Sequence, residues 1–128
     1  MPYLYSKVED LNGIELVGSH QCVALVQIKA GAPVTSAWRE GEIVKGATLQ
    51  KGTAIATFSN GRYANKSHGN HAALYLGQNS AGIDVMDQWK GDKDKPVVSR
   101  RFIRFRGKNK NGDYVNPINN ADAYSVVE

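Results

Sequence analysis

Three residues whose side chains can cooperate in nucleophilic catalysis lie far apart in the chain: Cys22, His71 and Asp87. Cys22 lies at the predicted start of a helix over Gln21 to Lys29. The positive end of a helix dipole favours a thiolate over a thiol, and outward backbone N–H groups there can hold an oxyanion. The position of Cys22 therefore predicts a nucleophile, although a lone Cys is more commonly a small buried apolar residue.

His71 is the candidate base. It begins a predicted apolar strand over His71 to Gly77 and follows a loop rich in Gly and Asn. A His at such a mouth position can titrate near neutral pH and hydrogen-bond a thiol. The alternative is a solvated His at a strand end. His20 and His68 lie in polar loops and are weaker candidates.

Asp87 is placed near His71 by the expected register of two neighbouring strands. If Gly77 pairs with Ile83 across a hairpin loop, His71 lies opposite Trp89, and Asp87 lies diagonal to His71 on the same face. The rest of that face is mostly apolar. The register therefore predicts that the carboxylate of Asp87 orients the imidazole of His71.

Other partners and other acids remain open at this position. A buried carboxylate without a partner costs several kcal/mol, so Asp87 must be paired. His71 is the nearest candidate, and Lys90 or an Arg of the next strand is the alternative. A register slip of one residue would exchange Asp87 with Asp84 or Gln88 on the other face.

The secondary-structure elements that position these residues are predicted in the chain order of helices first and strands after them. Ser19 is the predicted N-cap of the first helix, and Ala30, Gly31 and Pro33 are predicted to end it. A second, short helix is predicted from Thr35 or Ser36 to Gly41. An antiparallel meander follows, with the helices packed on one face, which defines an α+β domain. The predicted strands cover residues 54–58, 71–77, 83–89, 97–106 and 123–127.

Composition narrows the class of protein. A chain of 128 residues fits a single domain, and its single Cys excludes an internal disulfide framework and a Cys-rich zinc site. No apolar run reaches the ~18–20 residues of a membrane span, so membrane insertion is not expected. The N-terminal residues lack the apolar core of a signal peptide.

The net charge of +4 is local in origin. Six basic residues and no acid lie between Val97 and Lys110, a segment named here the basic strip. Its interpretation is a solvated strand face or a surface for an anionic polymer or an acidic protein. Nucleic acid is not expected as a partner, because aromatic interleaving and known nucleic-acid motifs are missing. The basic strip comprises Arg100, Arg101, Arg104, Arg106, Lys108 and Lys110.

Four blocks carry a resemblance to a known superfamily: Gly18 to Gln27, Lys51 to Phe58, Asn70 to Gly77 and Ile83 to Trp89. They resemble the papain-like cell-wall amidases of the CHAP and NlpC types, and within these the family 3 amidase effectors of type VI secretion. The resemblance extends from about Gly18 to the C-terminus. It implies a papain-like α+β fold with N-terminal helices packed on an antiparallel β-sheet, as one amidase domain over residues 1–128.

The resemblance also implies roles and partners. Cys22 is the nucleophile, His71 the general base and acid, and Asp87 the group that orients His71, with no cofactor and no metal. The implied substrate is the peptidoglycan stem peptide, at the cross-link between meso-diaminopimelate and D-Ala, and the implied partner is a cognate immunity protein. Such toxins are made in the cytoplasm without a signal peptide, secreted, and active in the periplasm of target bacteria. Trp89 stands where CHAP enzymes often have Asn, so no role is assigned to it.

Two other functions compete with this one. Cys22, His68 and His71 could ligate zinc in a metal-dependent hydrolase, with the fourth position open for water. A non-catalytic papain-like module, used for adhesion or as a bound decoy, is the second. The reactivity of the thiol and sensitivity to a chelator separate the three.

Overall fold

The protein forms an α+β fold in a computed structural model that describes residues 2–64, 66 and 69–128. Helix α1 spans Cys22–Ala30, and short 3₁₀ helices span Val8–Leu11, Thr35–Ala37, Pro117–Asn119 and Ala121–Ala123. The strands are β1 (Glu40–Ile43), β2 (Ala54–Thr57), β3 (Ala72–Gln78), β4 (Gly82–Asp87), β5 (Ser99–Arg104) and β6 (Tyr124–Val127). None of the described helices is long and apolar enough to cross a membrane.

All pairs in the sheet are antiparallel, and the strand order is β1-β6-β2-β3-β4-β5. Strands β2 to β5 form the predicted meander. The last strand does not continue it, because β6 returns across the sheet and pairs with β2 and β1. A simple meander is therefore wrong for the end of the sheet formed by β6 and β1.

Helix α1 packs one face against β3 and buries Ala24, Leu25 and Val26. It ends at Ala30, one residue later than predicted, because Gly31 adopts the left-handed conformation (φ 76°) and donates its N–H to Gln27 O. It begins later than predicted. The residue before it is Gln21 in an extended conformation with no side-chain cap, so Ser19 is not the N-cap.

The sheet is covered on both faces. On one face, α1 and the 3₁₀ helix Val8–Leu11 pack against the apolar side chains of β3 and β4. The other face is covered by connecting segments, and the fully buried ring of Tyr124 lies in that core. Members of the second core include Val44, Ile55, Ala73, Tyr75, Ile83, Val85, Ile103 and Ala121.

The second helix is shorter than predicted. The 3₁₀ turn ends at Ala37, and Trp38 is extended and fully buried, with its indole N–H donated to Pro33 O at 2.9 Å. Burial of this ring turns the chain into β1, which is short and polar. β1 lies at the edge of the sheet, and most of its residues are exposed to solvent.

The register of β3 and β4 agrees with the prediction near the candidate site. Leu74 pairs with Met86 and Tyr75 with Val85, which places Ala73 opposite Asp87 as expected. A bulge between Tyr75 and Gly77 shifts the pairing toward the hairpin loop. Gly77 therefore faces Asp84 rather than Ile83.

Candidate active site

The three predicted residues meet at one end of the sheet, in an open cleft of about 510 Å³. Cys22 is the first residue of α1, His71 immediately precedes β3, and Asp87 is the last residue of β4. The lining of the cleft comprises Gln21, Cys22, Val23, Tyr63, Lys66, Asn70, His71, Trp89, Lys90, Arg101, Ile118 and Asn119.

His71 is held on both its backbone and its ring. Its N–H donates to Thr57 Oγ1 at 3.0 Å, and its carbonyl accepts the N–H of Thr57 at 3.0 Å. Its Nε2 lies 2.8 Å from Asp87 Oδ2. Of the acids and amides left open by the sequence, Asp87 is therefore the one that contacts His71.

The carboxylate of Asp87 is fully buried and has two cationic partners besides His71. Arg101 Nε donates to Oδ2 at 3.0 Å, and Lys95 Nζ lies 2.8 Å from Oδ1. The Lys95 contact is electrostatic, since Oδ1 receives no well-directed hydrogen bond from the described residues. Burial alone would raise the pKa of Asp87, but His71 and the two cations hold it far below the usual range. Asp87 is thus a permanent anion.

Arg101 is an Arg of the next strand, the alternative partner that the sequence left open for Asp87, whereas Lys95 was not singled out and Lys90 has no such contact with Asp87 among the described residues. Lys95 is 6% exposed and also donates to Ser99 Oγ at 2.7 Å, although it lies in a charged loop. Arg101 belongs to the basic strip, yet it bonds Asn119 Oδ1 at 2.9 Å in addition to Asp87. The solvated-face interpretation is therefore wrong for Arg101. Arg101 and Ile103 are two residues apart in β5, so their side chains lie on the same face of the sheet. This spacing was the signal that Arg101 faces inward.

Cys22 is the first residue of α1, so its own N–H and that of Val23 have no partner within the helix. Burial disfavours the charged sulfur, but hydrogen bonding to His71 and its charge, with the N–H of Ala72, hold the pKa of Cys22 below its ordinary value. Because Nε2 of His71 is bonded to Asp87, Nδ1 is the ring atom that faces the sulfur. The site favours a thiolate paired with an imidazolium.

The protonation of His71 follows from the same contacts. Burial favours the neutral ring, whereas the hydrogen bonds to Asp87 and Cys22 raise the pKa of His71 to about 8. At neutral pH the imidazole is therefore largely protonated. A proton held next to the sulfur is available for a leaving group.

Gln88, on the face opposite Asp87, positions the start of α1. It is fully buried, and its Nε2 donates to Val17 O at 3.0 Å and Gln21 O at 2.7 Å. Its Oε1 accepts the N–H of Val17 at 2.7 Å. The segment it holds includes His20 at φ 74°, a strained conformation for a residue with a side chain. Gln88 thus fixes the turn that presents Cys22.

Two further groups border the reacting residues. The Trp89 ring packs edge-on against the His71 ring, with centroids 5.9 Å apart, in keeping with the predicted pairing of these residues. Tyr63 Oη lies 3.8 Å from Cys22 Sγ. Nothing in the loop sequence around Tyr63 distinguished it, because its contact with Cys22 depends on how the loop returns to the sheet.

The zinc alternative required His68, which lies outside the described residues. Within residues 2–64, 66 and 69–128, no group of three or more His, Cys, Asp or Glu is arranged to hold a metal ion. His20 lies in the turn before α1, and the described cleft lining does not include it.

A thiol at a helix start, an imidazole at the start of the central strand and a carboxylate on the next strand are the arrangement of papain-like cysteine hydrolases. The family model for Domesticated amidase effector 2 matches residues 3–126. The chain belongs to this amidase effector family.

Individual relatives agree with the family match. The chain is 48% identical over 133 residues to a type VI secretion amidase effector 2 protein of Salmonella typhi, with 100% of both chains covered. It is 44% identical over 117 residues to domesticated amidase effector 2 of Ixodes scapularis, covering 88% of this chain and 73% of that one. A solved structure of type 6 secretion amidase effector 2 (Tae2) superposes with a TM-score of 0.93 at 47% identity, covering 100% of this chain and 95% of the other.

These matches confirm the amidase effector class and the papain-like fold that the sequence predicts. They do not confirm the assignment to family 3 or to the CHAP and NlpC types, since the matched relatives carry the designation 2.

Proposed function

We propose that this chain is a cysteine amidase that cleaves peptide bonds of peptidoglycan, with Cys22 as nucleophile, His71 as acid and base, and Asp87 as the group that orients His71. The observation that carries the proposal is the continuous series from Asp87 Oδ2 through His71, 2.8 Å away, to the sulfur of Cys22. Residues 1–128 act as one catalytic domain in this proposal.

The reaction is acyl transfer in two halves. The Cys22 thiolate attacks the scissile carbonyl carbon, and a C–S bond forms. His71 gives its proton to the amide nitrogen as the C–N bond breaks, and the amine leaves. The neutral imidazole then takes a proton from water, the hydroxide attacks the thioester, and the free acid departs with the thiolate restored.

Stabilisation of the oxyanion falls to the start of α1. Cys22 lines the cleft and is the first residue of α1, so its N–H has no partner within the helix, and the helix dipole adds to its effect. Donors of this kind contribute about 2.7–4 kcal/mol each to transition-state stabilisation. Gln21 also lines the cleft and can complete the oxyanion hole with its side chain.

The charge of the cleft supports an anionic substrate. Lys66, Lys90 and Arg101 line it, and no acidic side chain of the described residues does. Asp87 lies buried against the His71 ring. Peptidoglycan stem peptides carry several free carboxylates, so a cationic cleft complements them. Within these peptides we assign the cross-link between meso-diaminopimelate and D-Ala as the target bond.

The family also supports a biological setting. Two of the three relatives described above are named as type VI secretion amidase effectors, and we infer that this chain is an antibacterial toxin secreted by that route. Its substrate lies in the periplasm of the target bacterium. A cognate immunity protein in the producing cell blocks the cleft, and an acidic surface on that protein would fit Lys66 and Lys90.

A defined substrate tests the proposal. The substrate is a purified dimer of two tetrapeptide stems joined by one bond between D-Ala and meso-diaminopimelate. It is incubated with the protein, and the masses of the products are measured by mass spectrometry. Cleavage of the cross-link gives two intact tetrapeptide monomers, whereas cleavage within a stem gives shorter fragments and would overturn the assigned bond. Iodoacetamide should abolish the reaction and a chelator should not. A chelator-sensitive reaction with an inert thiol would support zinc catalysis, and binding without any product would support the non-catalytic module.

A further inference from the structure

Tyr63 lies against the sulfur of Cys22 and belongs to neither the predicted triad nor the oxyanion hole. Its side chain is buried, with 6% exposed, and its Oη is 3.8 Å from Cys22 Sγ. The ring packs against Trp38, with centroids 5.0 Å apart and planes at 59°. Because Trp38 is fully buried, Tyr63 is held rigidly beside the nucleophile.

The direction of the Tyr63 hydroxyl is set by its other neighbour. The N–H of Lys66 donates to Asn70 Oδ1 at 2.6 Å, which fixes the orientation of the Asn70 amide. Asn70 Nδ2 then donates to Tyr63 Oη at 3.2 Å. Since the Tyr63 oxygen already accepts from Asn70, its own proton is free to point at the sulfur.

We propose that Tyr63 is a catalytic hydrogen-bond donor to the Cys22 thiolate, aimed by Asn70. This inference rests on Cys22 being the nucleophile of the proposed amidase. The sulfur then has donors on three sides: the His71 ring, the N–H of Ala72 and the Tyr63 hydroxyl. Burial, followed by the adjacent charge of Cys22, raises the pKa of Tyr63 far above its ordinary value, so the hydroxyl keeps its proton.

The hydroxyl gains and loses no proton in this role. Before attack it shares the negative charge of the sulfur, which favours ionisation of the thiol. As the C–S bond forms, the charge moves to the carbonyl oxygen, and the hydrogen bond from Tyr63 weakens. His71 alone supplies the proton for the leaving amine.

Replacement of one atom tests this role. Tyr63→Phe keeps the ring on Trp38 and removes the donor. A higher thiol pKa leaves less thiolate at about pH 6 but makes that thiolate more nucleophilic, so each tenfold loss of thiolate slows alkylation about threefold. We expect iodoacetamide to label Y63F about threefold more slowly than wild type near pH 6, and as fast or faster near pH 9.5. At neutral pH, kcat should fall about threefold with KM unchanged.

Tyr75→Phe is the matched control. Tyr75 is also buried, and its hydroxyl also accepts one side-chain amide N–H, from Gln78 Nε2 at 3.0 Å, away from the cleft. Y75F should show the wild-type pH dependence of labelling. The inference is overturned if Y63F labels like wild type at every pH, or is slower by one constant factor. A wild-type thiol that itself titrates as an ordinary Cys would instead refute the proposed nucleophile.

Discussion

Asp87 is the residue on which the electrostatics of the site depend. It lies between His71 on one side and two cations, Lys95 and Arg101, on the other. A lone buried carboxylate would bind the imidazolium so strongly that the proton could not be passed on. In this site burial lowers the pKa of His71, and the hydrogen bonds to Asp87 and Cys22 raise it to about 8, close to neutral pH, while the two cations help to hold Asp87 ionised. The carboxylate orients the ring without trapping its proton.

Replacement of Asp87 separates stability from catalysis. Asp87→Asn leaves the buried ammonium of Lys95 without an anion, which should cost about 3–5 kcal/mol of unfolding free energy. It should also lower kcat by on the order of 10²- to 10⁴-fold, because the ring of His71 loses its fixed orientation. The double variant Asp87→Asn, Lys95→Met should recover much of the stability in urea denaturation but none of the activity. Recovery of kcat in the double variant would show that Asp87 acts on the fold alone.

The pH dependence of kcat/KM follows from the two shifted groups. The proposed mechanism requires an ionised Cys22, whose pKa is lowered, and a protonated His71, whose pKa is raised to about 8. Activity should therefore rise below the ordinary thiol pKa of 9.0 and fall above about pH 8. A profile that rises only near pH 9 would contradict a preformed thiolate.

His71 and Asp87 give the sign of the pH dependence of stability. The pKa of His71 rises from 6.5 to about 8 on folding, so its contribution is complete below pH 6.5 and is lost as pH rises through about 8. The pKa of Asp87 is depressed from 3.8, so its contribution is present above that pH and is lost as pH falls below it. Thermal melts across this range should show greatest stability in mildly acidic solution. Loss of stability between pH 4 and 6 would contradict these assignments.

Secondary structure near the site was predictable because local signals agree with one another there. Gly31 ends α1 by its left-handed conformation, and the alternation of β3 and β4 fixes which side chains share a face. The bulge after Tyr75 was not predictable, since it depends on how both strands close at the loop. The pairing of β6 with β2 was also missed, because it joins segments about 70 residues apart, and nothing local to either strand specifies it.

The start of α1 is held by Gln88 rather than by a cap of its own, and this gives a prediction. Gln88→Leu removes three hydrogen bonds to the backbone of Val17 and Gln21 and should cost about 1–3 kcal/mol of unfolding free energy. Because the turn that presents Cys22 is then loose, kcat should fall about tenfold and thiol labelling near pH 6 should slow.

Gln78→Leu is the control for this variant. Gln78 also binds backbone groups, those of Val44, Gly46 and Ala47, but in a loop on the other side of the sheet. It should lose a similar amount of stability with kcat unchanged. If Q78L and Q88L lowered kcat equally, Gln88 would have no specific role at the site.

At the scale of the whole molecule, three of the positive charges among the described residues line the cleft. The chain has a net charge of +4, and the cations of the cleft adjoin the basic strip through Arg101. Lys66 and Lys90 are exposed and have no ion-pair partner among the described residues. Their charges are thus available to a ligand rather than used by the fold.

Neutralising these two lysines should change binding and leave chemistry intact. Lys66→Gln with Lys90→Gln should raise KM for a stem peptide with free carboxylates by about three- to tenfold, with kcat unchanged. For the same peptide with carboxamides in their place, the variant and the wild type should have equal KM. Lys110→Gln, in the basic strip, should leave KM for the free carboxylate peptide within about twofold. An equal effect from Lys110 would show general attraction instead of binding in the cleft.

The sequence placed Cys22, His71 and Asp87 in one site because each lies at the start or end of a regular element. Lys95 and Tyr63 come from connecting loops, and their contacts depend on the tertiary path of those loops. Nothing in the residue order predicts that a Lys in a charged loop is buried or that one Tyr of six lies at the sulfur. Lys95 and Tyr63, which adjust the electrostatics of the site, therefore could not be predicted from the sequence.

Digestion of purified Gram-negative sacculi by wild type and by Cys22→Ala tests the central claim most directly. The released muropeptides are separated and weighed. Wild type should convert cross-linked dimers to monomers, and the Cys22→Ala digest should match a sample without protein. If the two proteins gave the same digest, Cys22 would not be the nucleophile.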